Sequence, residues 1–436
     1  MSFPTYQKRR DIGISWMPTA PDHWQLNRIG RIGSCGMGQT ILREMLDEEP
    51  DENSLPVFSA SEGEDVFGFL RSPKVVLKPG DMIIGARGSI GFVRKVRIPS
   101  TCTQTTIWLR PDEAINQDYL YWYLTGLREQ LFPFDKTAIP MLTVEQVRSG
   151  PLLIPLISEQ RCIASFLDRE TSKIDSLIDE QKRLIDLLKE KRQAVISHAV
   201  TKGLNPDAPM KDSEIEWLGT VPAHWKIRRL KRLSPQITVG IVVNPSNYVS
   251  DDGLPFIYGG DITEGTINLD TCRRISAEHS DQNRKTQLHE GDLLTVRVGA
   301  PGVTAVVTKE CEGGNCASVM LIRRGDFSSK WLCYAMNSRI LRFQVEVVQY
   351  GAAQEQFNIS HAVDFVIPTP PLDEQNEIAM KLEEAVSVIN NLASEADRSI
   401  SLLQERRSAL ITAAVTGKID VRGLVMGIAK AEVEAA

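Results

Sequence analysis

No run of eighteen apolar residues occurs anywhere in the 436-residue chain, so no membrane-spanning helix is expected. The N-terminus, MSFPTYQKRRDIG, is basic but has no apolar stretch behind it, and does not read as a signal peptide. The seven cysteines are odd in number and scattered, which argues against a disulfide framework and fits a reducing cytoplasm. Cys311 and Cys316 stand closest together, without a second pair or a nearby histidine to complete a zinc set. They read as two ordinary thiols, and no metal is expected. Catalytic motifs are missing too. There is no G-x-x-x-x-G-K-[ST] phosphate loop, because Gly417-Lys418 lacks both the upstream glycine and the hydroxyl residue. Neither a G-x-S-x-G elbow nor an H-E-x-x-H pair occurs, and Asn244-Pro245-Ser246-Asn247 and Thr369-Pro370-Pro371-Leu372 both fail the N-P-P-[FY] form an amino-methyltransferase needs. No catalytic residue is nominated.

What is present is an ordinary globular balance, 42% hydrophobic and 24% charged, with length for two to four domains. The net charge of −6 does not advertise a nucleic-acid binder, but a phosphate backbone meets only one face of a protein. From Met82 to Pro111 there is no Asp or Glu, while Arg87, Arg94, Lys95, Arg97 and Arg110 are basic. From Lys226 to Ser250 acids are again absent, with Lys226, Arg228, Arg229, Lys231 and Arg232 clustered early. Charge alone leaves a solvated basic face without a ligand equally open.

An internal repeat organises the chain. The segment from Glu159 to Thr201 aligns without a gap on Glu374 to Thr416. Glu159-Gln160 falls on Glu374-Gln375, Ile163-Ala164 on Ile378-Ala379, and Ala199-Val200-Thr201 on Ala414-Val415-Thr416. Ahead of each copy, Trp16, Pro21, His23, Trp24, Arg28 and Arg31 reappear as Trp217, Pro222, His224, Trp225, Arg229 and Arg232. The middles match more loosely, through Gly80-Asp81, Gly88 and Gly91 against Gly291-Asp292, Gly299 and Gly302. The two histidines sit beside tryptophans, where packing is expected. The two aspartates precede strands and read as turn residues.

The well-matched segments lack internal Pro and Gly and read as long helices. Ser158 and Asp373 are expected N-caps, and Gly203 and Gly417 follow the last turns. In the first, Ile163, Leu167, Ile174, Leu177, Leu184 and Leu188 trace a 3-4 stripe; in the second, Ile378, Leu382, Ile389, Leu392, Leu403 and Leu410 do the same. Each helix would be a rod of roughly 65 Å. Such a stripe is best covered by the other helix, in an antiparallel pair; packing of each helix on its own globular unit is the alternative. The middles read as mixed α/β, with strands at Met82-Ile84, Thr106-Leu109, Leu293-Val296 and Val303-Val307. Short helices are expected at Asp118-Thr125 and Lys330-Ser338. The boundaries are a first globular domain with its N-terminal lead over 1–155, a helix over 156–204, and a linker over 205–222. A second domain over 223–371, a helix over 372–417 and a tail over 418–436 complete the chain.

Three features together resemble the specificity subunits of type I restriction–modification systems. They are the Pro370-Pro371-Leu372-Asp373-Glu374-Gln375 entry to a long helix, its Ala414-Val415-Thr416-Gly417 exit, and the Trp217-x-x-x-x-Pro222-x-x-Trp225 lead. Asn358-Ile359-Ser360 also fits. The first entry, Pro155-Leu156-Ile157-Ser158-Glu159-Gln160, has Leu156 in place of one proline. The resemblance covers nearly the whole chain, apart from the tail after Val421. It implies α/β (α+β) target-recognition domains in tandem duplication, joined by two long antiparallel coiled-coil helices. It implies a non-catalytic subunit whose domains each read half of a bipartite site in double-stranded DNA. The helices would set the spacing and dock two methyltransferase (M) subunits, with restriction/translocase (R) subunits joining. S-adenosylmethionine and ATP would belong to those partners, and no cofactor to this chain. Since Arg reads guanine, Gln and Asn read adenine, and basic side chains meet phosphates, the candidate DNA contacts are Arg87, Arg94, Lys95, Gln104 and Thr105 in the first domain. In the second they are Arg273, Arg274, Lys285 and Arg297. Rival readings are a stand-alone DNA-modifying or cleaving enzyme and a coiled-coil protein-binding scaffold.

Overall fold

The computed structural model describes residues 3–63, 66–132, 140–350 and 357–424, without the side chains of 349 and 350. The chain forms two compact units, Met1–Gln181 with Arg398–Ala436, and Lys182–Asp397. Among the described residues no helix is long and apolar enough to cross a membrane.

In unit 1 the alternating apolar runs form a four-stranded antiparallel sheet in the order Gly33–Met37, Thr106–Pro111, Met82–Gly85, Val93–Lys95. A second sheet orders Gly68–Arg71, Ser54–Phe58 and Thr101–Cys102, the last pair parallel. The helix Gln117–Gly126 buries Tyr119, Trp122 and Tyr123 in the core with Trp24, Phe132 and Phe166. Unit 2 repeats the plan. Its sheet orders Ile237–Val239, Met320–Ile322, Leu293–Thr295 and Thr304–Val306. A companion sheet contains the parallel pair Leu254–Ile257 and Asn315–Cys316, and the helix Ser329–Asn337 buries Trp331. In each unit the strand entering the globular part pairs antiparallel with the strand leaving it, Gln25–Arg28 with Pro151–Ile154 and Lys226–Arg229 with Val366–Thr369. Each globular insert is therefore closed by its own two-stranded neck, so its interior can vary without moving its ends.

The long helices run Ile157–Lys202 and Leu372–Val415. Ser158 and Asp373 thus lie inside the first turn rather than capping it, where Asp373 still favours the positive helix end. The compact units do not follow the helix ends. Unit 1 takes the start of the first helix and the end of the second, and unit 2 takes the remaining parts. Within unit 1, Arg407 pairs with Asp175 at 2.8 Å and Arg422 approaches Glu159 at 3.9 Å. Partner numbers rise on one segment as they fall on the other, so the two run antiparallel. Within unit 2, Ile196, Ala199 and Val200 share a core with Ile378, Ala379, Leu382 and Val386. The two packing alternatives combine, because Phe166 of the first helix also enters the globular core of unit 1.

The stripe needs correction. Ile163, Leu167, Ile174, Ile378, Leu382, Ile389 and Leu410 are buried, and Leu188 and Leu403 half-buried, but Leu177, Leu184 and Leu392 are exposed. Ile178 is buried instead, and Ile185 and Ala393 are half-buried. Adjacent residues on a helix point about 100° apart, so only one of each apolar pair can face the seam. At these three places the residue next to the leucine faces the seam. The span read as a linker also contains structure: Met210–Asp212 pairs with Thr220–Pro222, as Arg9–Ile14 pairs with Met17–Pro21 in unit 1. Nor is the tail loose where it is described. Val421 is fully buried and Asp420 donates its backbone N–H to the Pro4 carbonyl at 2.7 Å.

Candidate nucleic-acid interface

The recurring motifs fasten each globular domain to its frame. In unit 1 the Glu159 carboxylate accepts from the Tyr6 hydroxyl at 2.5 Å and meets His23 Nε2 at 2.9 Å. Burial, then the bond to Glu159, pushes the Tyr6 hydroxyl far above its ordinary value, so it stays protonated and donating. In unit 2 Glu374 meets His224 Nε2 at 2.8 Å and accepts from Trp225 Nε1 at 3.0 Å. The adjoining glutamines are clamps. Gln160 Oε1 accepts the N–H of Asn116, which caps the helix Gln117–Gly126, while its Nε2 donates to the Pro155 carbonyl. Gln375 does the same with Ser328 and Pro370 at the head of Ser329–Asn337. Gly417 and Gly203 sit left-handed at the helix exits, at φ +63 and +77. A Cβ at Gly417 would lie 2.5 Å from Pro21, so the glycine lets the exit lie directly on the Pro-x-x-Trp lead. These histidines, acids and tryptophans hold structure together.

Asp81 and Asp292 are turn anchors. Arg110 grips Asp81 with Nε and Nη2, at 3.0 and 2.6 Å from Oδ2, and Arg323 Nη1 meets Asp292 at 2.6 Å. Both carboxylates are almost wholly buried and also accept backbone N–H groups, from Lys78 and from His289 and Arg324.

Facing outward is a cluster of loops. In unit 1 the turn after Met82–Gly85 is closed by Gly91 N–H to Gly85 O and Gly85 N–H to Phe92 O, with Gly88 and Gly91 left-handed. Arg87 stands exposed at its tip, its Nε 3.1 Å from Met141 Sδ and its backbone N–H bonded to Thr105 O. Gln104 is exposed on the neighbouring turn and accepts from the Ile41 N–H, while Thr105 bonds Thr103 through their hydroxyls. Three loops, around 40, 87 and 104, are thereby tied together. Arg94 lies over the Phe58 ring and reaches the Gly63 carbonyl, and Lys95 is paired with Asp118.

Unit 2 builds the same turn, with Gly302 N–H to Val296 O, Val296 N–H to Val303 O, and Gly299 and Gly302 left-handed. Here Val298 occupies the place of Arg87. Arg297 turns inward, donating to the Phe357 carbonyl and to Asn358 Oδ1, both at 2.9 Å. Arg273 is exposed, 4.3 Å over the Tyr258 ring. Arg274 is half-buried and Lys285 exposed, with the Lys285 carbonyl accepting from Arg323. Of the sequence candidates, Arg87, Gln104 and Thr105 come together, whereas Lys95 and Arg297 have their charge or donors committed within the fold. Val242, Val243 and Val298 are exposed in unit 2 and carry no charge or amide that would mark them in a sequence. The repeat, which sets Gly299 and Gly302 on Gly88 and Gly91, marks the place of Val298. Cys311 and Cys316 are buried free thiols, burial pushing the latter up to about 12, and the described residues hold no metal-ligand cluster.

Comparison with known proteins places this arrangement. The family pattern "Type I restriction modification DNA specificity domain" matches residues 21–186. The type I restriction enzyme EcoBI specificity subunit of Escherichia coli is 22% identical over 352 residues, 78% of this chain and 74% of that protein. The MjaVIII specificity subunit of Methanocaldococcus jannaschii is 22% identical over 423 residues, 93% of this chain and 95% of its own length. Among solved structures, a chain from a study of complex assembly and conformational transition of the type I R-M system superposes with a TM-score of 0.70. The match is at 16% identity and covers 92% of this chain and 99% of that one. The HsdS subunit of Thermoanaerobacter tengcongensis gives a TM-score of 0.52 at 17% identity, covering 92% and 98%.

Proposed function

We propose that this chain, which belongs to the specificity subunits of type I restriction–modification systems, reads a bipartite double-stranded DNA site, one half with each globular domain. The observation that carries the reading is the duplication of one domain plan on a constant frame, with differing side chains on equivalent loops. Sequence readout requires such a division, because new half-sites arise by changing loops while neck strands, clamps and helices stay fixed. The long helices act as the spacer between half-sites and as docking surface for two methyltransferase subunits, with nuclease subunits joining that complex. The chain contributes recognition and no catalysis. S-adenosylmethionine and ATP are handled by the partners.

Methylation mapping of DNA from cells carrying this chain with its methyltransferase subunit tests the proposal. A two-part motif with a fixed gap is expected, absent without this chain. A continuous single motif, or methylation that persists without it, would refute the reading. A self-sufficient enzyme would instead modify or cut DNA as the purified chain alone, and a protein scaffold would give no sequence preference. Each relative named above is a specificity subunit, which favours neither rival.

A further inference from the structure

The equivalent loops of the two units offer different chemistry. At the tip of the glycine turn unit 1 carries Arg87 and unit 2 carries Val298, which is 59% exposed. The loop entering beside that turn is placed alike in both. Gln39 N–H bonds Cys102 O in unit 1, and Ile241 N–H bonds Cys316 O in unit 2. Beyond that point unit 2 continues with Val242 and Val243, 56% and 72% exposed, before Asn244 turns left-handed at φ +42. On the third loop unit 1 has the exposed residue Gln104, its side-chain oxygen accepting from the Ile41 N–H, and unit 2 has Ser318, also left-handed at φ +58. Unit 1 thus carries Arg87 and Gln104 where unit 2 carries Val298 and Ser318, and unit 2 adds Val242 and Val243 on the loop where unit 1 exposes Leu42.

The valine loops are tied into one surface. Ser318 N–H bonds the Ile241 carbonyl, Ile241 packs in one small cluster with Phe256 and Tyr258, and a Cβ on Gly259 would lie 3.9 Å from the Val298 carbonyl. The loops are anchored by backbone bonds at Ile241, Val296 and Ser318, and they present the three valines to solvent as apolar contacts. The surroundings select the kind of partner. From Leu233 to Ser250 the stretch bearing Val242 and Val243 carries no charged side chain. Arg273 stands exposed beside Tyr258, its guanidinium braced on the ring. A surface with apolar tips and an exposed arginine beside them matches a DNA major groove in which methyl groups line the floor and phosphates the rim.

We infer that unit 2 reads its half-site through the 5-methyl groups of thymine, using Val242, Val243 and Val298, whereas unit 1 reads by hydrogen bonds through Arg87 and Gln104. The inference rests on the DNA-reading function proposed above and adds the chemistry of discrimination. Valine has no hydrogen-bonding group, and of the four bases thymine alone offers a methyl in the major groove. Adenine opposite is then recognised through its partner. Arg273 supplies a phosphate contact that sets the depth of the loops without reading sequence.

Replacing thymine by deoxyuridine deletes the methyl and leaves base pairing and the O4 acceptor intact. The full chain, co-purified with its methyltransferase partner, is first put through DNA selection to define both half-sites. Binding is then measured on duplexes with deoxyuridine in one half-site at a time. One half-site should weaken by about fourfold for each methyl contacted, the other by less than twofold. The Val242→Ser, Val243→Ser, Val298→Ser triple variant removes the side-chain methyls at exposed positions, where substitution leaves the fold intact, and it should lose the deoxyuridine effect. If a bipartite site is selected but neither half responds, or the response survives in the triple variant, the inference is overturned while the DNA-reading function stands. If no bipartite site emerges, the parent reading fails and takes this one with it. A triple variant that binds DNA normally but no longer retains the methyltransferase would assign the valines to a protein contact and overturn the inference as well.

Discussion

Gln160 and Gln375 each answer two backbone groups that would otherwise be left unpaired at the junction of helix and globular domain. Gln375 is almost completely buried, so Gln375→Ala strands the Ser328 N–H and the Pro370 carbonyl and should cost about 1–3 kcal/mol in denaturant unfolding. The exposed neighbour Asn376, changed to Ala, should alter stability by less than about 0.5 kcal/mol. Equal effects would dismiss the clamp. A second residue-scale prediction concerns acid. The hydrogen bond from Arg422 holds the Asp420 carboxyl below its ordinary 3.8. A depressed carboxylate stabilises the fold at pH above that ordinary value, and the contribution is lost as pH falls through the lower, folded value. Protection factors at Asp420 to Leu424, taken relative to the intrinsic exchange rate at each pH, should therefore fall under acid before those of the adjoining helix do, and Arg422→Ala should remove the difference. Uniform protection down to pH 3 would contradict it. At this scale the recurring Glu-Gln pair was legible as a repeat. Its clamping role was not, because its partners, Asn116 and Ser328, lie over forty residues away and use backbone groups that leave no mark in a sequence.

Elements were legible where period and punctuation agree. The long helices stand out by the absence of Pro and Gly, and the strands of each main sheet by short apolar runs between turns. Which face of a helix is buried was less so. Leu177 beside Ile178 and Leu184 beside Ile185 satisfy a 3-4 stripe almost equally, and only the neighbouring segment decides. Ile178→Ala should destabilise the protein by about 2–4 kcal/mol in thermal or chemical unfolding, and Leu177→Ala by less than about 1 kcal/mol. The reverse ranking would restore the leucine seam. The hairpin Met210–Asp212 with Thr220–Pro222 escaped notice for another reason: its strands are three residues each and mostly exposed, so they carry no apolar alternation.

At the scale of the molecule the duplication was plain, since frame residues repeat in order while loops do not. The reading surface was only half legible. Arg87 and Gln104 announce themselves by charge and amide, but Val298 reads as one more valine until Gly299 and Gly302 are set on Gly88 and Gly91. The account makes the long helices a spacer. The most direct measurement inserts seven residues into each, near Asp186 in the first and near Glu395 in the second, and maps the methylated motif in cells. Seven residues add about 10 Å of helix, or about three base pairs of DNA. The account predicts the same two half-sites separated by a longer gap. Altered half-sites with an unchanged gap would contradict it.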